Sequence, residues 1–247
     1  MVIDSNILAI KEKYLKYIWN PDDGSVSFFP ALKDGTVIVF QGDSITDANR
    51  DRSVLAPNDM FGLGGGYVFL AAATLLSHLP DRRLRIYNRG ISGDKITTIA
   101  KRWEQDTLAL NPDFITVLVG VNDYWHISKH GYKGSVELYK ETYKNLIART
   151  MKVLPQARLI ICEPFAIRCG YVDESWFPEF SKYQAVAFDI AESSGAIFLP
   201  FQSLFEVALR VQEATYWCPD GVHPSAAGAY LMASAWLNCI AMLDDDR

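Results

Sequence analysis

A three-layer α/β/α sandwich around a five-stranded parallel sheet is the fold this sequence predicts, and three observations lead there. Short apolar runs recur at Val37 to Phe40, Leu84 to Tyr87, Phe114 to Val119, Leu159 to Cys162 and Ala196 to Leu199. Each is the length of a strand and rich in the residues that suit one buried on both faces. The intervals Tyr67 to Leu79, Ile96 to Leu110, Ser135 to Leu154, Phe180 to Ser193, Gln202 to Ala214 and Ala226 to Leu243 carry apolar residues at helical three- and four-residue spacing. Strands alternating with helices build βαβ units, whose parallel sheet is covered on both faces. Finally, 247 residues that are 49% hydrophobic and 21% charged suffice for one large domain with a real core.

The elements follow in order. Residues 1–35 are expected to form an N-terminal amphipathic helix and an extension packing on the domain, with Asn20-Pro21-Asp22-Asp23-Gly24-Ser25 as the one linker-like stretch. Residues 36–247 are expected to form the main domain. Pro112 and Pro155 stand shortly before a strand, where proline ends the preceding helix.

Composition narrows the function classes. A net charge of -5 without a dense Lys/Arg run argues against nucleic acid or an anionic membrane as partner. The N-terminus lacks a basic segment followed by an apolar one, and no apolar run is long enough to span a bilayer, so a cytoplasmic location is expected. Cys162, Cys169, Cys218 and Cys239 contain no C-x-x-C pair and are expected to be reduced thiols.

Chemistry is concentrated at the strand ends. The first strand stops at Gly42-Asp43-Ser44, and in open α/β sheets ligands bind outside the carboxyl ends of the strands, so Ser44 is mounted as a nucleophile would be. That tripeptide alone decides nothing, since chance places it in roughly one chain in fifteen of this length. A serine nucleophile needs a base, a group orienting the base, and donors for an oxyanion. Of His78, His126, His130 and His223, the last stands out because Asp220 lies three residues upstream, within reach of its Nδ1, and because Pro224 places it at a helix entrance. The second strand runs into Asn88-Arg89-Gly90-Ile91-Ser92-Gly93, where Gly93 is expected to open a helix with an exposed N–H. The third runs into Gly120-Val121-Asn122-Asp123, where Asn122 can aim a side-chain amide. Singly, each of these is an ordinary turn or cap. Together, three successive strands deliver small or polar groups to one edge of the sheet.

The blocks Gly42-Asp43-Ser44-Ile45-Thr46, Gly90-Ile91-Ser92-Gly93, Gly120-Val121-Asn122-Asp123 and Asp220-Gly221-Val222-His223-Pro224 resemble, in order, the four signature blocks of the SGNH, or GDSL, esterase and lipase family. The resemblance covers about Thr36 to Leu243 and implies a flavodoxin-like SGNH hydrolase fold. It also implies Ser44 as nucleophile, Asp220 and His223 completing a triad, and an oxyanion hole of Gly93, Asn122 and the Ser44 N–H. The G-x-S-x-G elbow of α/β-hydrolases is missing from the sequence. Gly62-Leu63-Gly64-Gly65-Gly66-Tyr67-Val68, Arg102-Trp103-Glu104-Gln105-Asp106 and Val121-Asn122-Asp123-Tyr124-Trp125 are similar to segments of bacterial intracellular acetylxylan esterases and carbohydrate deacetylases. Trp217 departs from those relatives, because Cys218 and Pro219 separate it from Asp220.

The expected activity is therefore hydrolysis of short-chain esters, acetyl first, on a carbohydrate or small molecule through an acyl-enzyme. No cofactor and no metal are called for. The expected partners are a small-molecule or oligosaccharide ester and, in a homo-oligomer, further copies of the chain. Asp43, Trp125 and Trp217 are candidate substrate contacts, and Trp125, Tyr171, Trp176, Phe177 and Trp217 a candidate sugar-stacking rim. Rival readings are a lysophospholipase or thioesterase of the same family, a phosphoesterase with a divalent metal on Asp43, Asp47, Asn122, Asp220 and His223, and a non-catalytic carbohydrate-binding protein.

Overall fold

The computed structural model describes residues 29–243. Expectations for the N-terminal helix fall outside them. Five strands form one sheet: β1 (Val37–Gly42), β2 (Arg85–Asn88), β3 (Phe114–Leu118), β4 (Arg158–Cys162) and β5 (Ile197–Leu199). Their order is β2-β1-β3-β4-β5 and every pairing is parallel. The order reverses around β1, so the carboxyl ends of β1 and β3 open the crevice where this topology places its ligands.

Ten α-helices are present among the described residues: α1 (Ser44–Asp47), α2 (Met60–Leu63), α3 (Tyr67–His78), α4 (Ile96–Asp106), α5 (Val121–His130), α6 (Val136–Val153), α7 (Glu179–Ser194), α8 (Phe201–Ala208), α9 (Ala214–Trp217) and α10 (Ala226–Ala241). Helix α3 packs on α10 on one face of the sheet, and α6 packs on α4 and α7 on the other.

Both layers are keyed by a buried tryptophan whose ring N–H finds a threonine, as burial of a polar tip requires. On one face Trp236 of α10 lies 4.8 Å from the Phe40 ring and donates to Thr116 of β3 at 2.9 Å. On the other, Trp103 of α4 donates to Thr150 of α6 at 2.9 Å. Phe29 and Leu32 belong to the same core.

One expected helix needs correction, and one helix was not expected. Gln202 to Ala214 is not one helix, because α8 ends at Ala208 and the chain turns before the short α9, whose Trp217 donates back to the Ala208 carbonyl at 3.1 Å. The helix α5, unanticipated, begins directly after Gly120, whose φ of +138° turns the chain out of β3. Asn122 therefore sits in a first helical turn rather than in a loop.

Candidate active site

Ser44 is the first residue of α1. The Asp43 carboxylate caps that helix by accepting from the Ile45 N–H at 3.0 Å, which fixes the sharp turn from strand into helix. Gly42 must be glycine for a packing reason: a Cβ there would lie 2.3 Å from Thr46 Oγ1 and 2.5 Å from the Leu118 carbonyl. The block after β2 is laced to this turn. Ile91 N–H donates to the Gly42 carbonyl at 3.0 Å, and the Asn88 amide donates to the Thr46 and Leu63 carbonyls at 2.6 and 2.8 Å.

The loop before α10 brings the partners. Ser44 Oγ is 2.8 Å from His223 Nε2, and His223 Nδ1 is 2.7 Å from Asp220 Oδ2. Asp220 Oδ1 accepts from the backbone N–H groups of Val222 at 2.9 Å and His223 at 2.7 Å. Burial pushes the Asp220 carboxyl up, but these donors outweigh it and hold its pKa below the ordinary carboxylate value. An ionised carboxylate on Nδ1 keeps the proton there and leaves Nε2 to accept from the serine. A hairpin beneath fixes the loop, with Ile167 N–H on the Gly221 carbonyl and Tyr171 N–H on the Asp220 carbonyl. Pro224 lies outside α10, which Ser225 caps, so His223 stands three residues before the helix begins.

Gly93 adopts φ +85° in a turn, and α4 starts only at Ile96, so the expected helix start at Gly93 is corrected. A Cβ at Gly93 would meet only His126 Cε1, at 3.8 Å, which leaves the position open toward the site. Asn122 is buried and donates from Nδ2 to the Asp94 carbonyl at 3.1 Å. That amide carries two hydrogens, so a second remains for another acceptor. Asp94 is held in turn by Arg102, which also pairs with Asp106.

The remaining candidates fall into different environments. Asp43 is 1% exposed and cannot touch a substrate, which corrects that expectation; its role is to build the serine turn. Desolvation raises its pKa to about 7, and raises that of Asp123, which accepts from the Ile96 N–H, to about 8. Trp125 lies half-buried against Tyr171 and Trp176, with the Lys129 ammonium 4.2 Å above its ring. Trp217 stands apart from that group, edge-on to Tyr216. Burial and the neighbouring Lys95, His130 and Lys129 lower His126 to about 4, so this ring is neutral at ordinary pH. Among the described residues no group of three or more His, Cys, Asp or Glu side chains is disposed to hold a metal ion, and no helix is long and apolar enough to cross a membrane.

Comparison with known proteins agrees with this geometry. The family model for GDSL-like lipase/acylhydrolase matches residues 40–231. An acetylxylan esterase from Geobacillus stearothermophilus is 32% identical over 214 residues, covering 83% of this chain and 94% of that protein. The crystal structure of the acetylxylan esterase Axe2 from the same organism has a TM-score of 0.75 at 30% identity, over 88% of this chain and 99% of the other. A Parabacteroides merdae protein named for its GDSL-like lipase character has a TM-score of 0.82 at 43% identity, over 85% and 99%. Fold, site order and relatives converge: this chain belongs to the GDSL-like lipase/acylhydrolase family and is a carboxylic ester hydrolase.

Proposed function

We propose that the protein removes short acyl groups, acetyl above all, from esters of carbohydrates through a serine acyl-enzyme. The observation that carries this reading is the unbroken hydrogen-bond chain Ser44 Oγ, His223, Asp220 at the crevice of the sheet. As Ser44 Oγ bonds to the ester carbonyl carbon, its proton passes to His223 Nε2, while Asp220 stabilises the resulting imidazolium. The negative charge on the carbonyl oxygen is met by the N–H groups of Ser44 and Gly93 and by the second Asn122 amide hydrogen. Collapse breaks the bond to the alcohol oxygen, which leaves with the proton from His223. Water, deprotonated by the same ring, then attacks the acyl-serine, and collapse breaks the Ser44 Oγ–acyl bond, releasing the acid while Ser44 Oγ takes back the proton from His223.

The acetyl preference is supported by the acetylxylan esterase relatives. A cytoplasmic setting fits the four free thiols. The test is a rate series over p-nitrophenyl acetate, butyrate and octanoate and acetylated xylo-oligosaccharides, with Ser44→Ala alongside. The expected result is acetate as the fastest simple ester and a loss of about 10⁵-fold or more in the variant. Preference for octanoate would move the activity to long-chain acylhydrolysis, and wild-type rates in Ser44→Ala would overturn the nucleophile.

A further inference from the structure

The cleft in front of Ser44 is far larger than an acetyl group. It measures about 870 Å³ and is lined by Ser44 and His223 together with Asp51, Arg52, Ser53 and Ser92. Because His223 Nε2 must protonate the departing oxygen, the alcohol half of the substrate leaves on the side that this ring faces, and His223 faces the cleft. The cleft therefore holds the alcohol, and its wall chemistry describes that alcohol.

That wall is rich in donors. Arg52 reaches Asp47 through Nε at 3.0 Å and through Nη2, both on Oδ2. Asp47 is 3% exposed in its side chain and is itself pinned by the N–H groups of Ser92 at 2.8 Å and Arg50 at 3.1 Å. The guanidinium is thus fixed relative to α1, three residues from Ser44, yet its side chain remains 49% exposed to the cleft. Its bonds to Asp47 use Nε and Nη2 and leave Nη1 outside that pairing. Behind it, Arg50 donates from Nε to the Gly90 carbonyl at 2.9 Å, and its buried Nη1 finds no partner among the described residues. A rigid fork of N–H groups suits a ligand with closely spaced oxygen acceptors. The apolar residues lining the cleft are small or buried, with no greasy groove for an acyl chain or lipid alcohol.

We propose that Arg52 is the specificity-determining residue for the alcohol half of the substrate, gripping hydroxyl or ring oxygens of a polyhydroxylated alcohol, namely a sugar unit next to the acylated one. The inference rests on the serine-esterase reading above. Its test compares xylobiose hexaacetate with p-nitrophenyl acetate, whose aryl alcohol offers no such acceptors, in wild type, Arg52→Met and Arg52→Lys. The lysine variant keeps a cation for the buried Asp47 should the methionine variant not fold. The expected result is that the ratio of kcat/KM for the sugar ester to that for the aryl ester falls about tenfold or more in the variants, mainly through KM. Equal losses on both substrates would mean that Arg52 acts only through Asp47 on the serine turn, and would overturn the proposal. So would a wild type that cleaves the aryl ester but no acetylated sugar. A wild type that cleaves neither ester fails the esterase reading itself and takes this inference with it.

Discussion

Asp220 and Asp43 lie on either side of the Ser44–His223 pair, one in the loop before α10 and the other in the turn after β1, and they are held in opposite ways. Asp220 is 31% exposed in its side chain and receives three N–H donors between 2.7 and 2.9 Å. Its carboxyl lies below the ordinary range although burial opposes this. Asp43 is almost wholly buried, has one N–H donor, and leaves Oδ2 without a partner. Desolvation carries it to about 7, and the nearby Asp94 charge pushes the same way. The same side chain thus has its ionisation favoured in one region and shifted up toward neutral pH in the other. The number of donors and the access of water decide which, not distance from the serine.

The comparison can be broken at its charged side first. Asp220→Asn keeps the shape but loses the carboxylate that holds the proton on His223 Nδ1, and a drop in kcat of about 10⁴-fold is expected with short-chain p-nitrophenyl esters. Asn122 belongs to neither region, and one of its Nδ2 hydrogens is already committed to the Asp94 carbonyl. Asn122→Ala is expected to cost about 10²- to 10³-fold in kcat with little change in KM.

The smallest activity effect belongs to the buried side, where stability carries the signal instead. Asp43 has a folded pKa above its unfolded value of 3.8, so its contribution is fully present below about pH 4 and is lost as pH rises through about 7. Asp43→Asn, which retains an oxygen for the Ile45 N–H, should lose less than about tenfold in kcat while melting with a smaller fall in Tm between pH 5 and pH 9 than wild type, by several degrees at about 2–4 °C per kcal/mol. Asp220 has the opposite sign: its contribution is present above its unfolded value and disappears as pH falls through the lowered folded one. An unchanged alkaline fall in the Asp43 variant would show that the carboxyl is ionised in the folded protein.

The five strands were legible because each is a short, uniformly apolar run that a doubly covered sheet demands. The hydrogen-bonded set of Ser44, His223 and Asp220 was legible because each member lies in a compact block, Asp220 three residues before His223. Helix α5 was not, since it begins at once after a strand and its first turn carries Asn122 and Asp123, which read as a turn. Burial of Asp43 could not be read from its neighbours either, because the strand end it follows is paired with β3 and tied to the block after β2, both distant in sequence. Arg52 belongs to no recognisable block, and only the fold brings Ser92 to the nearby pair of Asp47 and Arg52.

The most direct test of the central claim, that the Asp220 region activates Ser44, is covalent labelling with a fluorophosphonate followed by intact-mass and peptide analysis. One adduct per chain is predicted, located on Ser44, absent from Ser44→Ala and formed far more slowly in Asp220→Asn. No adduct on the wild type, or one on a different residue, would contradict it.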